Sequence, residues 1–191
     1  MPSEVNTTEA AAAPSVPLSN SAAAVLGMVA LGARSGYEIR RAAGLSLRFF
    51  WALGPPQIYS ELARLEEAGL IAGQDASQGR RPRRSYEATP RGRAALKRWV
   101  TSRQADALEL RDALLLHLFF ADAAPKADLA ALLARIRERS SQALTTFDER
   151  ILPAAVRTQQ RGFDQPKVVA EFGVALHRFI VDWCDERLGD G

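Results

Sequence analysis

Four arginines crowd one short segment of the chain, residues 79–84. They are Arg80, Arg81, Arg83 and Arg84. A guanidinium group matches phosphate oxygens with paired hydrogen bonds, and like charges this close repel one another in the free protein. Nothing acidic nearby is expected to balance them, whereas phosphates would. The segment therefore predicts a surface for a phosphate polyanion, and the alternative is a solvated run of charge.

The segment before these arginines predicts a short amphipathic helix over residues 55–68. At about 100° per residue, Ile58, Leu62 and Leu65 share one face, which must be core. The opposite face carries small and polar side chains, which allow a helix to enter the DNA major groove. Taken alone, the pattern fits an ordinary amphipathic surface helix equally well.

Several side chains of this helix have the chemistry to read or hold DNA. Gln57 can pair with an adenine edge, Arg64 with guanine or phosphate, and the Tyr59 hydroxyl can reach a phosphate. The full set of candidate DNA contacts is Ser35, Tyr37, Gln57, Tyr59, Ser60, Arg64, Arg80, Arg81, Arg83 and Arg84.

The surrounding elements would position these groups. A first helix is predicted from residues 19–21 to Leu31, and Ser35 with Glu38 forms a capping box that starts a second. Strands over residues 70–75 and 83–88 pair on either side of the arginine-rich tip. This order predicts a winged helix-turn-helix DNA-binding domain over residues 19–103, after a disordered tail over residues 1–18.

Residues 104–191 are predicted to form an all-α dimerisation domain, so the fold class is mainly α with a small two-stranded β-wing. Apolar stripes recur at helical spacing, and Pro153 should kink or break a long helix over residues 128–161. Such helices rarely bury their apolar surface alone, and a second copy is the natural partner. The predicted interface residues are Leu115, Phe119, Phe120, Phe172, Leu176, Phe179 and Trp183.

The charge distribution and the few Cys and His residues favour some classes of protein over others. Residues 19–100 carry 13 Lys and Arg against 6 Asp and Glu, which concentrates positive charge in the predicted DNA-binding domain. The only cysteine, Cys184, suits a reducing cytoplasm. His117 and His177 stand apart without a ligand cluster, so neither a metal nor another cofactor is expected. No catalytic set and no membrane-spanning run is apparent, which argues against an enzyme and a membrane protein.

Three motifs resemble the PadR family of bacterial transcriptional regulators. Residues 25–31 with 35–39 are similar to its first two helices, residues 50–70 to its recognition-helix signature, and residues 79–92 to its wing and the helix that follows. The helices after residue 104 resemble its dimerisation domain. The resemblance implies a homodimer that represses transcription at an inverted repeat of double-stranded DNA and is released by a small aromatic or hydrophobic effector.

Aromatic residues mark a possible effector site. They are Phe49, Phe50, Trp51 and Trp99, and plain core or interface packing is the alternative for all four. An alternative function is a ligand-binding or protein-interaction module that keeps a winged-helix scaffold without reading DNA. Glu66 and Glu67, beside the face that would enter the groove, are its best support.

Overall fold

A computed structural model of the chain describes residues 17–76, 83–102, 110–123 and 125–189. The described residues contain eight α-helices and two strands. The helices are α1 (Asn20–Ala30), α2 (Gly36–Gly44), α3 (Pro55–Glu67), α4 (Pro90–Val100), α5 (Ala113–Phe119), α6 (Lys126–Thr146), α7 (Leu152–Gln159) and α8 (Gln165–Gly189), and the strands are β1 (Ile71–Ala76) and β2 (Arg83–Ala88). Of the predicted disordered tail, residues 1–16 lie outside the described residues.

The chain divides into two compact units. The first contains the described residues up to Ile39 and those from Pro55 to residue 102, and the second contains residues 40–54 and 110–189. The predicted domain division differs from this one in placing residues 40–54 with the DNA-binding domain. They group with the C-terminal helices because Leu45 and Phe49 pack against a buried cluster around Phe147 and Ile151.

The first unit is built on α1, which packs against α3, α4 and β2. Val25 and Leu26 of α1 are fully buried, as are Ile58 of α3 and Ile39 of α2. Each such side chain contributes about 1.5 to 3 kcal/mol on burial. The predicted inward face of α3 is confirmed, since Leu62 and Leu65 are also buried.

Side-chain caps and a left-handed glycine define helix ends in this unit. Ser19 caps α1 by accepting from the Ala22 N–H at 3.1 Å, and Thr89 caps α4 by accepting from the Gly92 N–H at 3.0 Å. Gly69 ends α3 in the left-handed region at φ +66°. The backbone of Gly92 lies directly against the Leu70 carbonyl, a position with no room for a side chain.

The wing strands form an antiparallel pair with Ile71 opposite Ala88 and Asp75 opposite Arg84. The Tyr86 N–H donates to the Arg34 carbonyl at 2.8 Å, which ties β2 to the loop before α2. This register fixes which charges face one another at the base of the wing.

The second unit is a helical layer in which α8 packs along α6 and α7. One buried cluster joins Phe147, Ile151 and Ala155 to Ala170 of α8, and another joins Leu132 and Ile136 of α6 to Cys184. The predicted interruption at Pro153 is present. Residues 147–151 form a π-helical turn immediately before α7. This turn accommodates the proline, whose ring and missing backbone N–H do not fit inside a regular α-helix.

Ser140 of α6 is fully buried, and its hydroxyl has no hydrogen-bond partner among the described residues. Because an unsatisfied buried hydroxyl costs about 1 to 3 kcal/mol, Ser140→Ala is expected to raise the free energy of unfolding by about 1 kcal/mol. Urea denaturation would measure the change, with Ser141→Ala as the control for helix propensity on the neighbouring, less buried residue. A lower stability for Ser140→Ala than for Ser141→Ala would contradict the expectation.

Candidate nucleic-acid interface

The exposed face of α3 is polar and open, as the sequence predicts. Ser60, Ala63, Arg64 and Glu67 are all exposed. Glu61 differs, because it is buried beside this face and lies 3.7 Å from the Arg64 guanidinium as an i, i+3 ion pair. Because the two groups are 3.7 Å apart and Arg64 itself is exposed, the guanidinium stays available to another anion.

Gln57 stands at the start of this face and is hydrogen bonded within the unit. Its side-chain amide donates to the Ser21 hydroxyl of α1 at 2.8 Å. The bond fixes the orientation of the amide before any DNA arrives. Ser21 is therefore a residue that the sequence reasoning missed, because only the packing of α1 against α3 brings the two together.

Two tyrosines border the same surface. Tyr59 is 58% exposed and Tyr37 is 56% exposed. A Cβ built on Gly36 would lie 2.5 Å from Cε1 of the Tyr59 ring, so Tyr59 rests on the backbone at the beginning of α2. Because residue 36 is a glycine, the Tyr59 ring can lie against the backbone of α2 while the residue stays exposed.

Ser35 has a different placement from the expected one. Only 5% of the residue is exposed, and its hydroxyl accepts from the Glu38 N–H at 3.3 Å. The Glu38 carboxylate accepts from the Arg34 N–H at 2.9 Å, one residue earlier than in a standard capping box. Ser35 thus orders the start of α2, and its buried hydroxyl does not offer a direct contact to DNA.

The expectation that nothing acidic balances the wing arginines is wrong for Arg84. Its guanidinium pairs with Glu66 of α3 at 2.5 Å and with Asp75 of β1 at 2.8 Å. The hydrogen bond from Arg84 lowers the pKa of Glu66, and the two carboxylates raise the pKa of Arg84. We call these three residues the wing-root triad.

The wing-root triad connects the end of α3 to both wing strands. The sequence reasoning missed Glu66 and Asp75 as partners, although the Asp75–Arg84 pair follows from the strand register once it is known. Arg83 opens β2 opposite Ala76. Arg80 and Arg81 lie outside the described residues.

The aromatic residues proposed for an effector do not share one environment. Phe49 packs against Phe147 with ring centroids 4.7 Å apart and lies edge-on to His177 at 6.5 Å, in the second unit. Burial lowers the pKa of His177. Phe50 is exposed in that unit, and Trp51 and Trp99 are each 37% exposed. The packing alternative therefore fits Phe49 best.

The predicted interface residues of the second unit form an exposed apolar surface. Phe119, Phe120, Phe172 and Phe179 are each more than 60% exposed, and Leu115 and Leu176 are exposed to a lesser degree. Trp183 is only partly exposed, since it packs against the cluster around Ile136 and Cys184. On α8 the exposed members recur every three or four residues, which gives a continuous stripe along one face.

No group of three His, Cys, Asp or Glu side chains within the described ranges is placed to hold a metal ion. In the same part of the chain, none of the helices combines the length and apolar character needed to cross a membrane.

Two family models match the chain, one for each half. Residues 25–98 match the transcriptional regulator PadR-like family, and residues 110–189 match the virulence activator alpha C-terminal family. A probable transcriptional regulator of Mycobacterium tuberculosis is 27% identical over 173 residues, which cover 81% of this chain and 88% of that protein. The negative transcriptional regulator PadR of Bacillus subtilis is 31% identical over 98 residues, which are 51% of this chain and 54% of that protein.

Solved structures of Bacillus subtilis PadR share the fold. Its complex with operator DNA aligns with a TM-score of 0.73 at 20% identity, over 88% of this chain and 97% of that one. Its complex with p-coumaric acid aligns with a TM-score of 0.67 at 20% identity, over 87% and 95%. These likenesses confirm the predicted winged-helix fold class. The match over residues 25–98 identifies this segment as a domain of the transcriptional regulator PadR-like family.

Proposed function

We propose that the protein is a homodimeric, sequence-specific DNA-binding repressor. The observation that carries the proposal is the open polar face of α3 next to a wing whose base is fixed by Glu66, Arg84 and Asp75. A helix presented in this way fits the major groove, and the wing then follows the phosphate backbone. The similarity to a protein solved with operator DNA supports the same interpretation.

Within this proposal the side chains divide into two roles. Gln57 and Arg64 read base edges, and Gln57 does so from an orientation that Ser21 sets. The tyrosine hydroxyls at positions 37 and 59 and the arginines of the wing contact phosphates and fix the register. Ser60 is small enough to let the backbone of α3 approach the bases.

Dimerisation would supply a second α3 helix for the other half of the binding site. The exposed stripe on α8, with Phe119 at the end of α5 and Phe120 after it, is the surface that a second copy would cover. A two-fold dimer would place two α3 helices on an inverted repeat, with half-sites about one helical turn (~34 Å) apart. We also propose that the protein acts in the cytoplasm as a regulator and not as an enzyme.

Release by a small aromatic or hydrophobic effector completes the proposal. It is supported by the aromatic residues Phe50, Trp51 and Trp99, which remain partly or largely exposed, and by the p-coumaric acid complex of the Bacillus subtilis protein. Phe49 would act by holding residues 40–54 in the second unit. Repression as the direction of the response is supported by the negative role named for that relative.

The alternative of a winged-helix scaffold that does not read DNA is weakened by the wing-root triad. It relied on the negative charge of Glu66 and Glu67 beside the reading face. The Glu66 carboxylate is paired with Arg84, so its charge is held within the wing-root triad and is not free to repel a duplex.

The double variant Arg83→Ala/Arg84→Ala tests DNA binding. We expect weaker binding to both operator and random DNA, with the larger loss on the operator, and a salt slope that is shallower by about 0.9 for each phosphate that the variant no longer neutralises. Fluorescence anisotropy with the promoter upstream of the protein's own gene, over a salt series, would measure both.

Arg178→Ala is the matched control, because it removes one charge from an exposed site on α8. Unchanged affinity and slope in the wing variant would contradict the proposed role of the wing. Absence of any salt-dependent affinity in the unmodified protein would favour the scaffold that does not read DNA.

A further inference from the structure

Five arginines line one concavity of the second unit. The concavity measures about 500 Å³ and lies between the end of α2 with its following turn and the start of α7 with the preceding π-helical turn. Its arginines are Arg40, Arg41, Arg48, Arg150 and Arg157. Glu149 is the one acidic residue among the described residues that line it. The lining therefore carries an excess of four positive charges.

Most of this charge is not neutralised within the unit. Arg41, Arg150 and Arg157 make no ion pair with any carboxylate in the described part of the chain, and Arg48 lies over the Phe49 ring at 5.4 Å. Elsewhere in the same unit, arginines find partners, as Arg137 does with Asp185. Repulsion among like charges in a shared concavity costs free energy that a bound anion would recover.

The rest of the lining has a different character. Leu45 and Pro153 provide apolar surface between the arginines. A concave site lined by charged groups with some apolar surface suits a small organic molecule better than the convex backbone of a duplex. Guanidinium groups recognise carboxylate and phosphate oxygens through paired hydrogen bonds.

We propose that this arginine concavity is a binding site for a small, multiply charged oxyanion, either a phosphorylated molecule or a polycarboxylate. An excess of four charges matches a ligand with at least two negative charges, which distinguishes it from a singly charged aromatic acid. Phe50, Trp51 and Trp99 are not among the described residues that line it.

Binding there would act on residues 40–54, which carry three of the five arginines. Along the chain, this segment runs from the middle of α2 to the start of α3. An anion that holds it against α7 would therefore restrict the conformations of the residues that lead into α3. Only this regulatory consequence depends on the proposed DNA binding. The anion site itself does not.

Titration of the full chain with inorganic pyrophosphate, citrate and benzoate, at constant ionic strength set with NaCl, tests the proposal by calorimetry. We expect saturable binding of pyrophosphate or citrate, and which of the two binds tighter identifies the chemistry of the ligand. The variant Arg150→Gln/Arg157→Gln should lower that affinity at least about tenfold, because removing each charge-assisted hydrogen bond weakens binding by about that factor.

Arg178→Gln, which removes a charge from α8 outside the concavity, should bind within about twofold of the unmodified protein. Lack of saturable binding of both polyanions, equal affinity in the double variant, or tighter binding of benzoate would each overturn the proposal. The same double variant should keep its affinity for promoter DNA in the absence of added anion. A parallel loss of DNA affinity would overturn the proposal by reassigning these arginines to the DNA backbone.

Discussion

Gly92→Ala is expected to destabilise the first unit by about 3 kcal/mol, close to the upper end of overpacking effects. A Cβ at this position would overlap the backbone carbonyl oxygen of Leu70 and lie 3.3 Å from a methyl group of Leu26. The carbonyl cannot move aside, because it also accepts the Thr89 N–H at 3.1 Å. For a unit of this size, the change corresponds to a loss on the order of 10 to 20 °C in Tm.

Thermal unfolding followed by circular dichroism would measure this loss. Gly27→Ala is the matched control, since nothing lies within 4 Å of a Cβ at that position of α1. There the helix propensity of alanine should raise stability by about 0.5 to 1 kcal/mol. Equal midpoints for the two variants would mean that α4 does not approach the Leu70 carbonyl closely.

Phe172→Glu/Phe179→Glu is expected to convert the proposed dimer into a monomer at micromolar concentration. The two rings are 68% and 63% exposed on the same face of α8, so the monomer should fold normally. In a two-fold interface each substitution occurs twice, and each would bury a carboxylate without a partner at a cost of several kcal/mol. Light scattering coupled to size exclusion would report the mass.

Operator affinity should fall at least about 100-fold in this variant, because a monomer engages only one half-site. The control Arg178→Glu places the same charge about 120° around α8 from Phe172, away from the stripe. It should leave mass and operator affinity unchanged. If the variant remains dimeric with both phenylalanines replaced, the dimer interface must lie on another surface.

The exposed polar face of α3 was predictable because it depends on local geometry alone. Ile58, Leu62 and Leu65 identify the core side at about 100° per residue, and every other position follows. The same reasoning recovers the exposed stripe of α8 through Phe172 and Phe179. In both cases the periodicity of one helix carries the whole inference.

Contacts between elements were not predictable in the same way. Glu66 reaches Arg84 only because α3 ends beside the wing, and the strand register places Asp75 opposite Arg84. The assignment of residues 40–54 to the second unit depends on Phe49 meeting Phe147, far along the chain. Residues 45–53 have no periodicity that could indicate such packing, so tertiary contacts alone decide it.

The wing-root triad has a consequence for how the protein would search a chromosome. An arginine held by two carboxylates adds little to the indiscriminate attraction that any duplex exerts on positive charge. A phosphate must displace Glu66 or Asp75 before it gains the Arg84 guanidinium, and we expect this exchange to be favourable only where α3 is already seated on its own site. Restraining the Arg84 charge in this way lowers the protein's occupancy of random sequence more than its occupancy of the operator. It therefore shortens the time that the protein spends on the millions of competing positions.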